Sequence, residues 1–179
     1  MAFTRNALRF REVEPEDFDW LRQMRNDPRN AAGWRDPRSV QSINQQQEWY
    51  ASLSNINQAF VAEDRVDTLP DTQAPLTVGL LRFRLDYAMS CAAMTGTDVL
   101  PQMTGKGYGR RILRSGAEYV IQELGFHRVT AECLDTNVAA SHIIQAAGFK
   151  PEGILRGYMW RSGTYHNWHI FSLLREDLA

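Results

Sequence analysis

The sequence predicts one α+β domain built on a mixed, mostly antiparallel sheet with helices on both faces. Stretches of strand character outnumber helical ones, several neighbouring strands follow each other closely enough to form hairpins, and one strand–helix–strand unit lies at the centre. With 179 residues, 44% hydrophobic, the chain is long enough for a full core within a single domain spanning 1–179.

Taken in order, Leu8 to Val13 alternates apolar and charged residues, the period-two pattern of a half-buried strand. Pro15 opens a helix with Phe18, Leu21 and Met24 on one face, which should stop before Pro28 because the residue preceding proline disfavours helical backbone. Asn26 to Ser39, with its prolines and mixed charges, reads as loop, and Ser42 to Leu53 as a second helix presenting Ile43, Trp49 and Leu53. Gln58 to Ala62 is a short strand, followed by the acidic, proline-bearing stretch EDRVDTLPDTQAP, read as a surface turn. Leu76 to Tyr87 and Cys91 to Leu100 form the next two strands. From Tyr108 the period becomes helical, with Ile112, Leu113, Gly116, Val120 and Leu124 on one stripe and Gly125 as C-cap. Val129 to Leu134 is a strand, and Asn137 to Ala147 a helix with Ala140, Ile143, Ile144 and Ala147 inward and Gly148 as its cap. Two long strands, Glu152 to Arg161 and Tyr165 to Leu174, close the chain around the turn Ser162, Gly163.

Composition narrows the function. No apolar run approaches the ~20 residues of a membrane span, and the start, MAFTRNALRFREVE, lacks the apolar core of a signal peptide, so a cytoplasmic protein with no membrane partner is expected. Two cysteines, Cys91 and Cys133, give no disulfide framework and read as small core residues, and no His/Cys spacing marks a metal site. The formal net charge of -1 provides no basic excess for duplex nucleic acid.

One stretch stands out, VLPQMTGKGYGRR from Val99 to Arg111, between an apolar strand and the long helix. Gly105, Gly107 and Gly109 let the backbone approach a bound group. A helix starting there points its first N–H groups and positive dipole end at an anion, and Lys106, Arg110, Arg111 and Arg114 add charge. The spacing describes a phosphate cradle for a small polyanion; the same glycines also suit plain helix capping.

Four blocks in order, GTDVLPQMTGKGYG, TAECLDTNVAA, AAGFKPEG and SGTYHNWHIFSLLRED, resemble the GNAT acyltransferase superfamily, in particular its RimJ/RimL-like branch, over most of the chain. The resemblance implies a GNAT-like three-layer fold whose sheet is splayed at a wedge holding acetyl-CoA, with the pyrophosphate on Thr104, Gly105, Lys106, Gly107, Tyr108 and Gly109. Thr104 stands where the family places Arg or Gln, an anchor that Arg110 or Arg111 would replace. It further implies that Val99 offers its backbone N–H to the thioester carbonyl and that Asn137 contacts the cofactor or orders the site; as a residue, Asn137 is also a good helix N-cap.

Acetyl transfer to an alkylamine needs a group that takes the amine proton. Asp98, beside Val99, is the first candidate and Glu132, on the adjoining strand, the second; solvated or ion-paired carboxylates are the alternative for both. For the proton of the leaving thiolate, the Tyr used by many members falls on Ile144 and the Ser used by some on Ala140. Ser141 is the nearest substitute, and solvent can also serve.

Arg25 and Asn26, Trp34 and the QQQEWY segment resemble acetyltransferases of amino-sugar nucleotides, where arginine meets a phosphate. Tyr158, Trp160, Tyr165 and Trp168 offer stacking surfaces for an acceptor ring, or else pack across strands. The expected activity is acetyl-CoA-dependent N-acetylation of a small-molecule primary amine, with an amino sugar or a nucleotide-linked amine as the favoured acceptor. Protein N-terminal acetylation and a non-catalytic acyl-CoA-binding module are the alternatives, and the long C-terminal hairpin is available for a homodimer.

Overall fold

The computed structural model describes residues 2–30, 40–68 and 74–178. Its eight strands lie in the order β1-β2-β3-β4-β5-β6-β8-β7 in one sheet. They are β1 (Phe3–Arg5), β2 (Leu8–Glu12), β3 (Asn57–Thr68), β4 (Pro75–Asp86), β5 (Cys91–Val99), β6 (Arg128–Leu134), β7 (Lys150–Arg161) and β8 (Thr164–Leu174). Neighbours are antiparallel except β5 and β6. Helices α1 (Phe18–Asn26) and α2 (Ile43–Ala51) pack together, as do α3 (Tyr108–Glu118) and α4 (Val138–Ala146), so that both faces of the sheet are covered.

Local chemistry explains the joints. The β1–β2 turn places Asn6 and Ala7 at φ 51° and 61°, and the β7–β8 turn places Ser162 and Gly163 at 50° and 85°, the left-handed pairs that suit the twist of a hairpin. A 3-10 turn over Pro15–Asp17 leads into α1 through a reciprocal capping box of Glu14 and Asp17. Ser42 and Gln45 form the same device at α2.

Three expectations need correction. The acidic stretch after Ala62 is not a turn from its first residue, because β3 continues to Thr68. Its Glu63 and Asp64 are buried at 6% and 3% exposure, and each charge has a partner. Arg11 Nε donates to Glu63 Oε1 at 2.7 Å, while the Tyr108 hydroxyl and Arg111 Nη1 reach Asp64 Oδ2 at 3.0 and 3.1 Å. Second, α1 ends before Pro28 as expected, yet the chain is helical again over 28–30 rather than loop. Asp27 there accepts from the Arg29 N–H, and proline suits a first helical position. Third, α2 turns Ile43 to solvent at 59% exposure and buries Gln46 at 1%, although Trp49 and Leu53 face the core as read. Cys133 is buried, whereas Cys91 is only half-buried.

The feature that makes a site is a fork. Parallel pairing of β5 with β6 covers Cys91↔Arg128 to Met94↔Ala131 and then ends. At that point the β4–β5 ladder carries one extra residue, Thr95, between Met94, opposite Phe83, and Gly96, opposite Arg82. A bulge of this kind bends its strand and raises the local twist. Beyond it β5 follows β4 as far as Gly79↔Val99, β6 follows β8 as far as Leu134↔Trp168, and the sheet opens between them.

Candidate active site

A cavity of about 490 Å³ fills the fork. Its walls are the ends of β5 (Thr97, Asp98, Val99) and β6 (Glu132, Cys133), with Gly109 and Leu113 of α3, Asn137, Ala140, Ile143 and Ile144 of the α4 region, Arg84 and Trp168. The lining is mostly apolar with a few polar groups, the composition of a small-molecule site.

The glycine loop leads from the fork into α3. Gly105 and Gly107 adopt φ +77° and +82°, and a Cβ placed on either meets nothing within 4 Å, so this backbone is bare on its outer side. Gly107 is the N-cap of α3, whose first N–H groups have no acceptor within the helix. A Cβ on Gly109 would stand 3.0 Å from Ile143 Cδ1, so this glycine lets α3 and α4 approach. The basic residues divide into two groups. Arg111 is held by Asp64 and Arg114 by Glu118, whereas among the described residues Arg110 and Lys106 carry no ion pair. Thr104 turns its hydroxyl onto the Pro101 carbonyl at 2.7 Å, and the Tyr108 hydroxyl points inward to Asp64, so neither offers that group to a ligand. Bare backbone, a helix N-terminus and two unpaired cations fit the pyrophosphate of a CoA thioester.

The two carboxylates differ. Asp98 Oδ2 accepts from Arg82 Nη2 at 2.7 Å, with side-chain exposures of 12% and 9%, in an ion pair between β5 and β4. Glu132 is exposed at the cavity and accepts a hydrogen bond from the indole N–H of Trp168, Nε1 to Oε2 at 2.6 Å. Cys133, next in β6, has its thiol pushed up by burial and, secondarily, by Asp135, so the protonated form is favoured.

Asn137 caps α4, its Oδ1 accepting the Ala140 N–H at 3.1 Å, and it lines the cavity at the same time. Ser141 lies outside the cavity lining and accepts from Gln145 Nε2 at 3.0 Å. Arg25, 5% exposed, stacks on Trp49 at 4.0 Å and donates to Gln41 Oε1 at 3.2 Å. Asn26 exchanges hydrogen bonds with the Gln41 main chain. Both residues thus tie α1 to the start of α2, away from the fork cavity. Trp34 lies outside the described residues. Tyr158 and Tyr165 are 60% and 65% exposed on the β7–β8 hairpin, where Tyr158 leans on Trp168 and Tyr165 on Trp160. Arg84, Thr97 and Cys133 are cavity residues that the sequence did not single out. Position beside Asp98 and Glu132 on the same strands is the one signal that pointed to the latter two.

A family model described as an acetyltransferase (GNAT) domain matches residues 7–150. The chain belongs to the GNAT acetyltransferase family. It is an acetyltransferase, and the acyl donor of this family is acetyl-CoA. An uncharacterised N-acetyltransferase of Bacillus subtilis, YoaA, is 26% identical over 98 residues, 55% of each chain, so that alignment spans about half the length of either protein. The N-acetyltransferase p20 of Bacillus licheniformis is 22% identical over 96% of this chain and 95% of its own. In fold, the chain is similar to spermidine N-acetyltransferase of Vibrio cholerae, solved with CoA and spermine, at TM-score 0.83 and 22% identity, over 98% of this chain and 100% of that one. The family model places the chain in the family as a whole, and the solved structure shares its fold; the RimJ/RimL-like branch rests on the sequence blocks alone. Among the described residues, no helix is long and apolar enough to cross a membrane.

Proposed function

We propose that this GNAT enzyme transfers the acetyl group of acetyl-CoA to a primary amine of a small molecule in the fork between β5 and β6, with Glu132 taking the amine proton. The observation that carries this reading is the cavity itself, which brings Glu132, Asp98, Val99 and Asn137 together and abuts the glycine loop through Gly109. Acetyl-CoA supplies the acyl group as a thioester. Val99 lies at the last β4–β5 pair, where the backbone N–H of the strand polarises the thioester carbonyl. The Gly105–Gly107 backbone, Arg110 and Lys106 hold the pyrophosphate.

In the transfer itself, an alkylammonium gives a proton to Glu132 and its nitrogen lone pair attacks the carbonyl carbon. A C–N bond forms and the C–S bond breaks, with the electron pair leaving on sulfur. The second nitrogen proton passes to water as the amide forms, and water returns a proton to the departing thiolate, which leaves as the thiol. Glu132 suits the base better than Asp98 because it lies exposed at the cavity with no ion pair among the described residues, while Asp98 is engaged by Arg82.

An amino-sugar or nucleotide-linked amine remains the acceptor favoured here, with Arg84 rather than Arg25 as the arginine at the cavity. The test is CoA release from acetyl-CoA with a panel of glucosamine, an amino-sugar nucleotide, spermidine and a short peptide with a free N-terminus, with product mass measured for each. A mass gain of one acetyl group on a small amine supports the reading. Turnover of the peptide alone favours N-terminal acetylation, and acetyl-CoA binding without turnover of any amine favours a non-catalytic module.

A further inference from the structure

We propose that Trp168 is a positioning residue for the transfer, its indole N–H aiming the Glu132 carboxylate into the fork. This rests on the reading of Glu132 as the group that takes the amine proton. The two side chains project from paired strands as diagonal neighbours, because Glu132 is opposite Ile170 and Leu134 opposite Trp168, so both stand on the same face. The contact between them, Nε1 to Oε2 at 2.6 Å, is at the short end for a charge-assisted bond. No other hydrogen bond or ion pair to Glu132 occurs among the described residues. The indole therefore supplies the one fixed direction for a side chain with three rotatable bonds, and it engages one oxygen while the other stays available to an ammonium.

The indole is itself held. Tyr158 leans against its ring at 5.9 Å between centroids. The strand beside it is clamped, since Asp135 Oδ2 accepts the Asn167 N–H at 2.9 Å, Asp135 Oδ1 lies 3.2 Å from His166 Nδ1, and Asn167 Oδ1 accepts the Gly157 N–H at 2.9 Å. These bonds join β8 to the end of β6 on one side and to the irregular part of β7 on the other. The Glu132 direction is thus set by a chain of contacts running out of the hairpin, outside the cofactor loop. A phenylalanine at 168 keeps a ring for Tyr158 and removes only the donor.

The test is a double-mutant cycle on kcat/KM, using the fastest amine of the panel above. Trp168→Phe should lower kcat about tenfold, the worth of one charge-assisted hydrogen bond, with KM for acetyl-CoA and the unfolding midpoint unchanged. In the Glu132→Gln background the same change should have no further effect. Losses that multiply in the double variant, or a Trp168→Phe enzyme with undiminished kcat, overturn the positioning role while leaving the base in place. A Glu132→Gln enzyme as fast as wild type overturns the base reading, and this inference with it.

Discussion

Arg82 Nη2 stands 2.7 Å from Asp98 Oδ2, joining β4 to β5 just beyond the bulge that opens the sheet. The pair has little room to rearrange, because a Cβ on Gly96 would lie 2.1 Å from the same Nη2. Neutralising one side of a nearly buried ion pair removes its attraction and its charge-assisted hydrogen bond from a site that water cannot refill. Asp98→Asn should therefore cost about 3 kcal/mol of stability, read as a lowered midpoint in urea, and its rate loss should be the same at every pH. A loss that vanishes as pH rises would instead return Asp98 to the role of base.

The cofactor loop gives a second prediction. At φ +82°, Gly107 occupies backbone that costs an L-residue roughly 1–2 kcal/mol. Gly107→Val should leave the protein folded, since a Cβ there meets no neighbouring atom within 4 Å, and should weaken acetyl-CoA binding by about tenfold or more as loop N–H contacts are lost. Isothermal titration with acetyl-CoA measures it, and unchanged affinity would remove the loop from the site.

Tyr108 ties α3 to the extended part of β3 through Asp64. Tyr108→Phe removes a hydrogen bond to a buried carboxylate, and the expected loss is about 2 kcal/mol in denaturant unfolding. If stability does not change, the inward Tyr108–Asp64 contact is not what holds β3 against α3.

Acid should act on the N-terminal joint. Burial alone would push the Asp17 carboxyl up, but hydrogen bonds from Arg11, the Glu14 main chain and the Trp20 indole outweigh it and hold the group below its ordinary 3.8. A carboxyl lowered in the folded state stabilises the protein above its unfolded value and loses that contribution as pH falls through the folded one. Thus the stability difference between wild type and Asp17→Asn should be constant near neutrality and shrink below about pH 4. A difference independent of pH down to about pH 2 would contradict the ion-paired state of Asp17.

The parts of the fold that could be read from sequence are those whose cause is local. The stripe of Ile112, Leu113, Gly116 and Val120 behind the glycines, the Asn137 cap and the turn at Ser162 and Gly163 each declare themselves within a few residues. What escaped depends on partners far along the chain. Glu63 and Asp64 look like surface charges until Arg11, 52 residues away, and Tyr108, 44 away, are brought to them. The same holds for the division between the carboxylates, because Asp98 finds Arg82 at a separation of 16 residues and Glu132 finds Trp168 at 36. Arg25 and Asn26 draw notice only through their resemblance to acetyltransferases of amino-sugar nucleotides, and their engagement by Gln41 follows from how α2 docks.

The most direct test of catalysis in the fork is kcat/KM of Glu132→Gln for a primary amine, followed from about pH 7 to about pH 10, where alkylamines lose their own proton. The expected result is a loss of about 100-fold or more at neutral pH that narrows as pH rises, with acetyl-CoA affinity retained. An undiminished rate, or a loss equally deep at every pH, would contradict it.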